Sequence, residues 1–245
     1  MSSPKARTDR RQKFDRYAVY YSPPPEAPIQ QFASRWFGRD TMTGENRRRM
    51  RLKGFGLEDL AGITASPARY GFHATLKAPF RLSAEASYAD LLQSARKLAT
   101  QLEPIAPLRL VLGELSGFLA LRPDRDQGPI GAVADACTTE LDRYRAALNE
   151  QERARRLNGA LTDRQIQHLD RWGYPYILDD FRFHMTLTKR LDEPLRSRLF
   201  DALAAHVADA LATSFDLDSL CLFGDPGHGR PFQFLDRISF AMAAV

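Results

Sequence analysis

The sequence predicts an α+β fold made of two related halves, and three observations lead there. The phrase Phe-His-x-Thr-Leu occurs twice, in YGFHATLKAPF at residues 70–80 and in FRFHMTLTKRL at residues 181–191. Each copy sits in an apolar, β-prone run, and each is followed by a helical segment and then two strand segments. A repeat this long is not a solenoid period; it indicates two lobes.

The elements follow from local pattern. RYAVYYS (16–22) reads as a strand closed by three prolines, and IQQFASRWF reads as a helix that Gly38 stops. Residues 39–56 are polar and glycine-containing, which predicts a long loop with a helical piece. The first His-x-Thr strand ends at Pro79, and a helix follows over ASYADLLQSARKLATQLE. PLRLVLGEL and GFLALRP form a hairpin. In the second half one long helical pattern covers PIGAVADACTTELDRYRAALNEQERARR. A shorter helix over LTDRQIQHLDRWG takes Thr162 or Asp163 as N-cap. After the second His-x-Thr strand come a helix, a strand in SFDLDSLCLFG, the loop DPGHGRP and a last strand. The expected division is a disordered basic tail over 1–15, a first lobe over 16–125 and a second over 126–245. With no low-complexity linker between them, the lobes pack closely enough to count as one domain.

Composition bounds the function. A 245-residue chain with 44% hydrophobic and 27% charged residues has the make-up of a soluble globular protein. No apolar run is long enough to span a bilayer, and the basic N-terminus lacks the apolar segment of a secretory signal. Two cysteines make neither a disulfide framework nor a zinc cluster, so a reducing, cytoplasmic setting is expected. The net charge of +5 suggests nucleic acid, but residues 1–16 hold six cations against two carboxylates and account for most of it. That leaves too little charge for a long RNA track and favours a small phosphorylated substrate. The cluster RRRMRLK at 47–53 reads as a phosphate-facing patch or, more simply, a solvated segment.

In a strand, residues i and i+2 share a face. His73 therefore projects with Thr75, Gly71 and Lys77, and His184 with Thr186, Arg182 and Thr188; the intervening residues are apolar and suit a core. An imidazole, a hydroxyl and a cation, present twice, suit a phosphoryl group. Hydroxyls and cations hold its oxygens, while one neutral and one charged imidazole act as base and acid on opposite sides. Neither copy has metal-ligand spacing and threonine is a poor ligand, so the expected chemistry needs no metal or other cofactor. Asp179 and Asp180 either orient a histidine or cap the turn. His168 reads as a surface residue, His206 as packed, and His228 as a turn residue. No Gly-rich phosphate loop, dinucleotide fingerprint or nucleophile elbow occurs.

HATL and HMTL, with RYAVYYSPP, WFGRD, GFLAL and RWGYPYILDDFRFHMTLTKRL, resemble the two-histidine (2H) phosphoesterase superfamily. They are similar to its bacterial branch associated with genes for phosphonate use by carbon–phosphorus lyase. The resemblance implies a bilobal duplicated fold of two antiparallel sheets, with outer helices, facing a central cleft. It implies catalytic His73 and His184 and phosphate-binding Thr75 and Thr186; Lys77, Arg182 and Thr188 come from strand parity alone. The expected activity is metal-independent hydrolysis of a small nucleotide or sugar cyclic phosphate, ribose 1,2-cyclic phosphate 5-phosphate being one candidate. The alternatives are an RNA-end 2′,3′-cyclic phosphodiesterase and a non-catalytic nucleotide or RNA binder using the same cleft.

Overall fold

The computed structural model describes residues 14–124, 128–157 and 159–241. Most of the expected tail and the junction at 125–127 lie outside these residues. In chain order the elements are β1 (Arg16–Tyr21), α1 (Pro28–Phe37), α2 (Leu57–Tyr70), β2 (Ala74–Phe80), α3 (Tyr88–Ala99), β3 (Ile105–Leu108), β4 (Leu110–Leu115), β5 (Phe118–Pro123), α4 (Gly128–Glu140), α5 (Glu150–Leu157), α6 (Asp163–Trp172), β6 (Met185–Thr186), α7 (Glu193–Ala210), β7 (Phe215–Leu217), β8 (Ser219–Asp225) and β9 (Gln233–Ser239).

The fold is α+β, with every described strand pair antiparallel. Seven strands form one sheet in the order β4-β5-β6-β2-β1-β8-β9, and β3 pairs with β7 in a second. The two halves share the large sheet, so the motif strands β2 and β6 are hydrogen-bonded neighbours; they do not face each other across a gap. Outward from that central pair the order is symmetric. β2, β1 and β8 on one side match β6, β5 and β4 on the other, and β3 pairs with its own counterpart β7. The repeating unit is thus strand, helix, motif strand, helix and two strands, opening at β1 and again at β5; β9 is the extra strand.

Local chemistry explains most boundaries. Gly38, at φ 68°, ends α1 with its N–H on the Ser34 carbonyl. Ser87 with Asp90 and Thr162 with Gln165 form capping boxes on α3 and α6. Ser116 and Gly117, at φ 48° and 86°, turn the β4–β5 hairpin. Two expectations fail. The long helical pattern of the second half breaks after Glu140, because Asp142 turns to hold Lys77 and Arg145, and residue 145 bridges to Leu82. The helical piece expected within 39–56 is instead a full helix after it, α2; Pro67 inside that helix cannot donate to the Ile63 carbonyl, which accepts from Lys189 N–H instead.

Within the cluster at 47–53, two arginines are taken up by contacts inside the chain. Arg49 donates to the Trp36 and Phe37 carbonyls and to Thr64 Oγ1, tying the end of α1 to α2. Arg47 pairs with Asp40 and Glu45, and Arg48 is exposed.

Apolar residues of β1, β2, β5 and β6 fill a core on one face of the large sheet, under α1, α3, α4 and α7. The other face carries a smaller cluster of Ala18, Tyr20, Cys221, Phe223 and Phe232. Among the described residues no helix is long and apolar enough to cross a membrane.

Gly71 joins α2 to the first motif at φ 83°, ψ 173°, a region that is nearly glycine-only. A Cβ there would lie 2.5 Å from Thr41 Cγ2. Gly71→Ala should therefore cost about 2 kcal/mol or more. Adding Thr41→Ser removes the clashing methyl but keeps the hydroxyl that accepts from Phe72 N–H, and should recover part of the loss. Urea unfolding of the three proteins checks this; equal midpoints would show that the backbone is not held there.

Candidate active site

Ala74 and Met185 are opposite partners in the antiparallel β2–β6 pair. Carried one residue each way, that register sets His73 opposite Thr186 and Thr75 opposite His184. All four side chains leave the same face, since Ala74 and Met185 between them are fully buried on the other. The two histidines stand on the diagonal of this quartet, where backbone positions are roughly 7–8 Å apart, a gap that fits one phosphoryl group. Their charges act on each other: His184 helps to hold His73 neutral.

β6 is only two residues long, and its neighbours keep it in place. Leu187 and Thr188 N–H groups donate to the Leu119 carbonyl, and Leu119 N–H donates to Thr188 Oγ1. Trp36 Nε1 donates to the Leu187 carbonyl at 2.8 Å, and Lys189 N–H to that of Ile63. The first motif is anchored by Ser22 Oγ donating to the Phe72 carbonyl, and by Phe72 N–H donating to Thr41 Oγ1.

Both imidazoles are oriented in the same way. His73 Nδ1 lies 2.8 Å from the Gly71 carbonyl, and His184 Nδ1 lies 2.7 Å from the Arg182 carbonyl. A carbonyl only accepts, so Nδ1 carries the proton in each ring and Nε2 is the working nitrogen. Neutral, it accepts a proton; charged, it donates one. His73 is stacked on Tyr20, with ring centroids 3.7 Å apart, and lies beside Tyr70; His184 packs against Phe118. Burial pulls both imidazoles below the usual range. For His73 it outweighs the Gly71 hydrogen bond, and the value falls to about 4.

His73, Thr75, Thr186 and Thr188 line a cleft of about 1670 Å³; His184 is not among the lining residues and reaches the site through its place opposite Thr75. The parity-derived candidates are engaged elsewhere. Lys77 is buried, with its ammonium 3.1 Å from Asp142 Oδ1 and donating to the Thr138 carbonyl. Arg182 is exposed and donates to the Asp179 and Phe181 carbonyls. The Thr188 hydroxyl accepts from Leu119. Parity placed these residues, but it could not show what their polar ends would meet.

The sequence reading missed much of the cleft wall. Arg16 and Arg69 both hold Asp225, and Tyr70, Tyr174, Phe232 and Arg156 stand near them. The one available signal was the alternation Arg16, Ala18, Tyr20, which puts these three on a single face of β1. Asp180 contacts neither motif histidine: it accepts from two of the three Arg164 guanidinium nitrogens and from Gln165, with His168 Nδ1 3.6 Å away. His168 is thus mostly covered, while His206 is exposed, the reverse of expectation in both cases. His228 stands at the cleft in a left-handed turn, φ 52°. Among the described residues no three of His, Cys, Asp or Glu come together to hold a metal ion.

The low His73 value carries a sign. The unfolded chain takes up this proton near pH 6.5 and the folded chain near 4, so stability falls as pH drops through that window. The loss from this group between pH 7 and pH 5 should be about 2 kcal/mol at most. Urea unfolding of wild type and His73→Gln at the two pH values measures it. A variant that loses as much stability as wild type would show that His73 has an ordinary value.

Comparison with known proteins follows the motif region. A family model described as "Protein of unknown function (DUF1045)" matches residues 75–233. The chain is 37% identical over 230 residues to "Ribose 1,5-bisphosphate phosphokinase PhnN" of Janthinobacterium sp. (strain Marseille), covering 92% of this chain and 51% of that protein. It is 36% identical over 228 residues to the protein of the same name from Laribacter hongkongensis (strain HLHK9), covering 93% and 52%. It spans about half the length of these curated relatives. Among solved structures it is similar to E. coli LigT complexed with NADP+, at 15% identity and a TM-score of 0.45, over 93% of this chain and 98% of that one. The family match takes in more than half of the chain, which therefore belongs to the DUF1045 family of proteins of unknown function.

Proposed function

We propose that this protein is a metal-independent 2H-type phosphodiesterase that hydrolyses a small cyclic phosphate. The observation carrying this reading is the diagonal quartet of His73, Thr75, His184 and Thr186, with both Nδ1 atoms tied to backbone carbonyls. In the reaction, a water oxygen attacks phosphorus as one ester P–O bond breaks. His73, the imidazole held more firmly neutral, takes the water's proton on Nε2. His184 gives its Nε2 proton to the departing alkoxide. Thr75 and Thr186 donate to the non-bridging oxygens. The turnover ends with His73 charged and His184 neutral, and solvent resets both. The substrate's negative charge favours the protonated acid that burial of the imidazole disfavours.

The substrate we favour is ribose 1,2-cyclic phosphate 5-phosphate. Breaking its P–O2 bond yields ribose 1,5-bisphosphate, the compound in the name of the half-matched relatives. This chain has no Gly-rich phosphate loop, so the phosphokinase activity in that name belongs, on this reading, to the half it does not match. The two halves would then carry out consecutive steps, consistent with a place in phosphonate breakdown. An RNA-end phosphodiesterase and a non-catalytic binder are the competing outcomes of the test.

EDTA-treated protein should turn over the ribose cyclic ester faster than 2′,3′-cyclic nucleotides. His73→Ala and His184→Ala should each lose 10²-fold or more in kcat. kcat/KM should trace a bell, with an acid limb near pH 4 from His73 and an alkaline limb below the ordinary imidazole range from His184. No turnover of any cyclic ester would sink the enzyme reading; activity abolished by EDTA would sink the metal-free mechanism; faster nucleotide turnover would favour the RNA-end alternative.

A further inference from the structure

We propose that the cleft holds a second anion subsite, centred on Arg156, that receives a phosphate monoester borne by the substrate beyond the reacting phosphodiester. The identity of the carrier rests on the phosphodiesterase reading above; the subsite itself rests on the unmatched charge in the cleft wall.

Most cations lining the cleft are matched. Arg16 and Arg69 share Asp225, Lys77 and Arg145 share Asp142, and Arg81 holds Glu152 through two nitrogens. Arg155 and Arg156, adjacent on α5, have no carboxylate within ion-pair distance among the described residues. Arg155 is exposed to water and bonded to its own helix at Gln151 O, whereas Arg156 is partly buried. Its guanidinium lies over the Tyr174 ring, 5.2 Å from the centroid, and makes one long hydrogen bond of 3.4 Å to the Pro79 carbonyl. Burial lowers its pKa; Tyr174 and Glu152 oppose this, while the positive charges of Arg16 and Arg155 add to it. A planar donor fork, partly desolvated, near like charges and with a single long hydrogen bond to the protein, is poised for an anion. Phosphate suits it best, because the fork can grip two oxygens at once.

Position limits the carrier. Pro79, whose carbonyl the guanidinium meets, lies four residues beyond Thr75 on β2, a backbone rise of roughly 13 Å. The guanidinium therefore stands beyond the reacting group and meets a second substituent of the same substrate. Tyr70 and Tyr174 line the cleft with Arg156 and can flank the sugar. The cleft volume of about 1670 Å³ exceeds the ~300–1,000 Å³ usual for one small ligand, so both ends can be held together.

Ribose 5-phosphate, which has the monoester and no cyclic ester, probes the subsite without turnover. Calorimetry should show binding to wild type, at least tenfold weaker binding to Arg156→Ala, intermediate binding to Arg156→Lys, and none of unphosphorylated ribose. In kinetics, Arg156→Ala should lose at least tenfold more kcat/KM on ribose 1,2-cyclic phosphate 5-phosphate than on ribose 1,2-cyclic phosphate. If Arg156→Ala fails to fold, Arg156→Gln, which keeps the length but not the charge, takes its place. Ribose 5-phosphate binding that ignores Arg156 overturns the subsite even if cyclic esters are hydrolysed. Arg156-dependent binding without any turnover retains the subsite and overturns the phosphodiesterase reading.

Discussion

The site depends on one backbone pairing, that of Ala74 with Met185. In a strand pair, a slip of one residue sends every side chain to the opposite face. At the observed register the two histidines and two threonines share one face, and the apolar residues between them enter the core. A slip of β6 by one residue would bury His184 and Thr186 and expose Met185 and Leu187, both fully buried here. The same alternation that builds the core therefore fixes the quartet. Because β6 has only two ladder residues, the register is defended by bonds from outside it. Trp36, Leu119 and Ile63 each hold the segment that follows, and every buried hydrogen bond of this kind is worth about 1 kcal/mol.

The second constraint is the treatment of the imidazoles. Each donates Nδ1–H to the carbonyl two residues earlier, a bond a short extended segment can supply without another side chain. It fixes tautomer and direction together and leaves both Nε2 atoms to the open face. Burial then keeps the rings neutral, most strongly at His73, where Tyr20 covers one ring face. Two half-buried histidines this close together resist holding two protons. On the proposed mechanism, an arriving phosphodiester would bring the negative charge that lets one of them be protonated, so substrate binding and formation of the acid would be the same electrostatic event.

How much of this the sequence revealed depends on whether the property is local. Caps, turns and the alternation of both motifs depend on residues close in the chain, and Gly38, Thr162 and the motif histidines were legible for that reason. The expected α+β class and antiparallel pairing follow from the same alternation. What was not legible depends on partners distant in sequence. Lys77 shares the motif strand, yet Asp142, sixty-five residues away, takes its charge. Arg182 has the right parity, but the chain before the second motif is not in a strand, and the side chain turns to nearby carbonyls. The continuous helical pattern over residues 129–156 hid a break made by that same Asp142. Arg156, in the run ERARR, looks like a solvated helix face until Tyr174 and Pro79 are placed against it. The sharing of one sheet by both halves also left no trace in either half alone.

On the proposed mechanism, a symmetric scaffold must perform an asymmetric reaction. The strand order maps β2 onto β6, and the quartet alone gives no reason for one histidine to take a proton and the other to give one. The walls break the equivalence. Tyr20 stands over His73, whereas Ala120, its counterpart opposite Thr186, is too small to stack on anything. Tyr70 flanks His73, and the unmatched Arg156 lies beside the strand that carries His73, near Pro79. On the subsite proposal, a substrate whose second phosphate is held at Arg156 would enter in only one orientation, with the same ester oxygen always toward the same histidine. On the proposed reaction, duplication supplies the two-sided grip on phosphorus. Residues that differ between the halves decide which oxygen leaves.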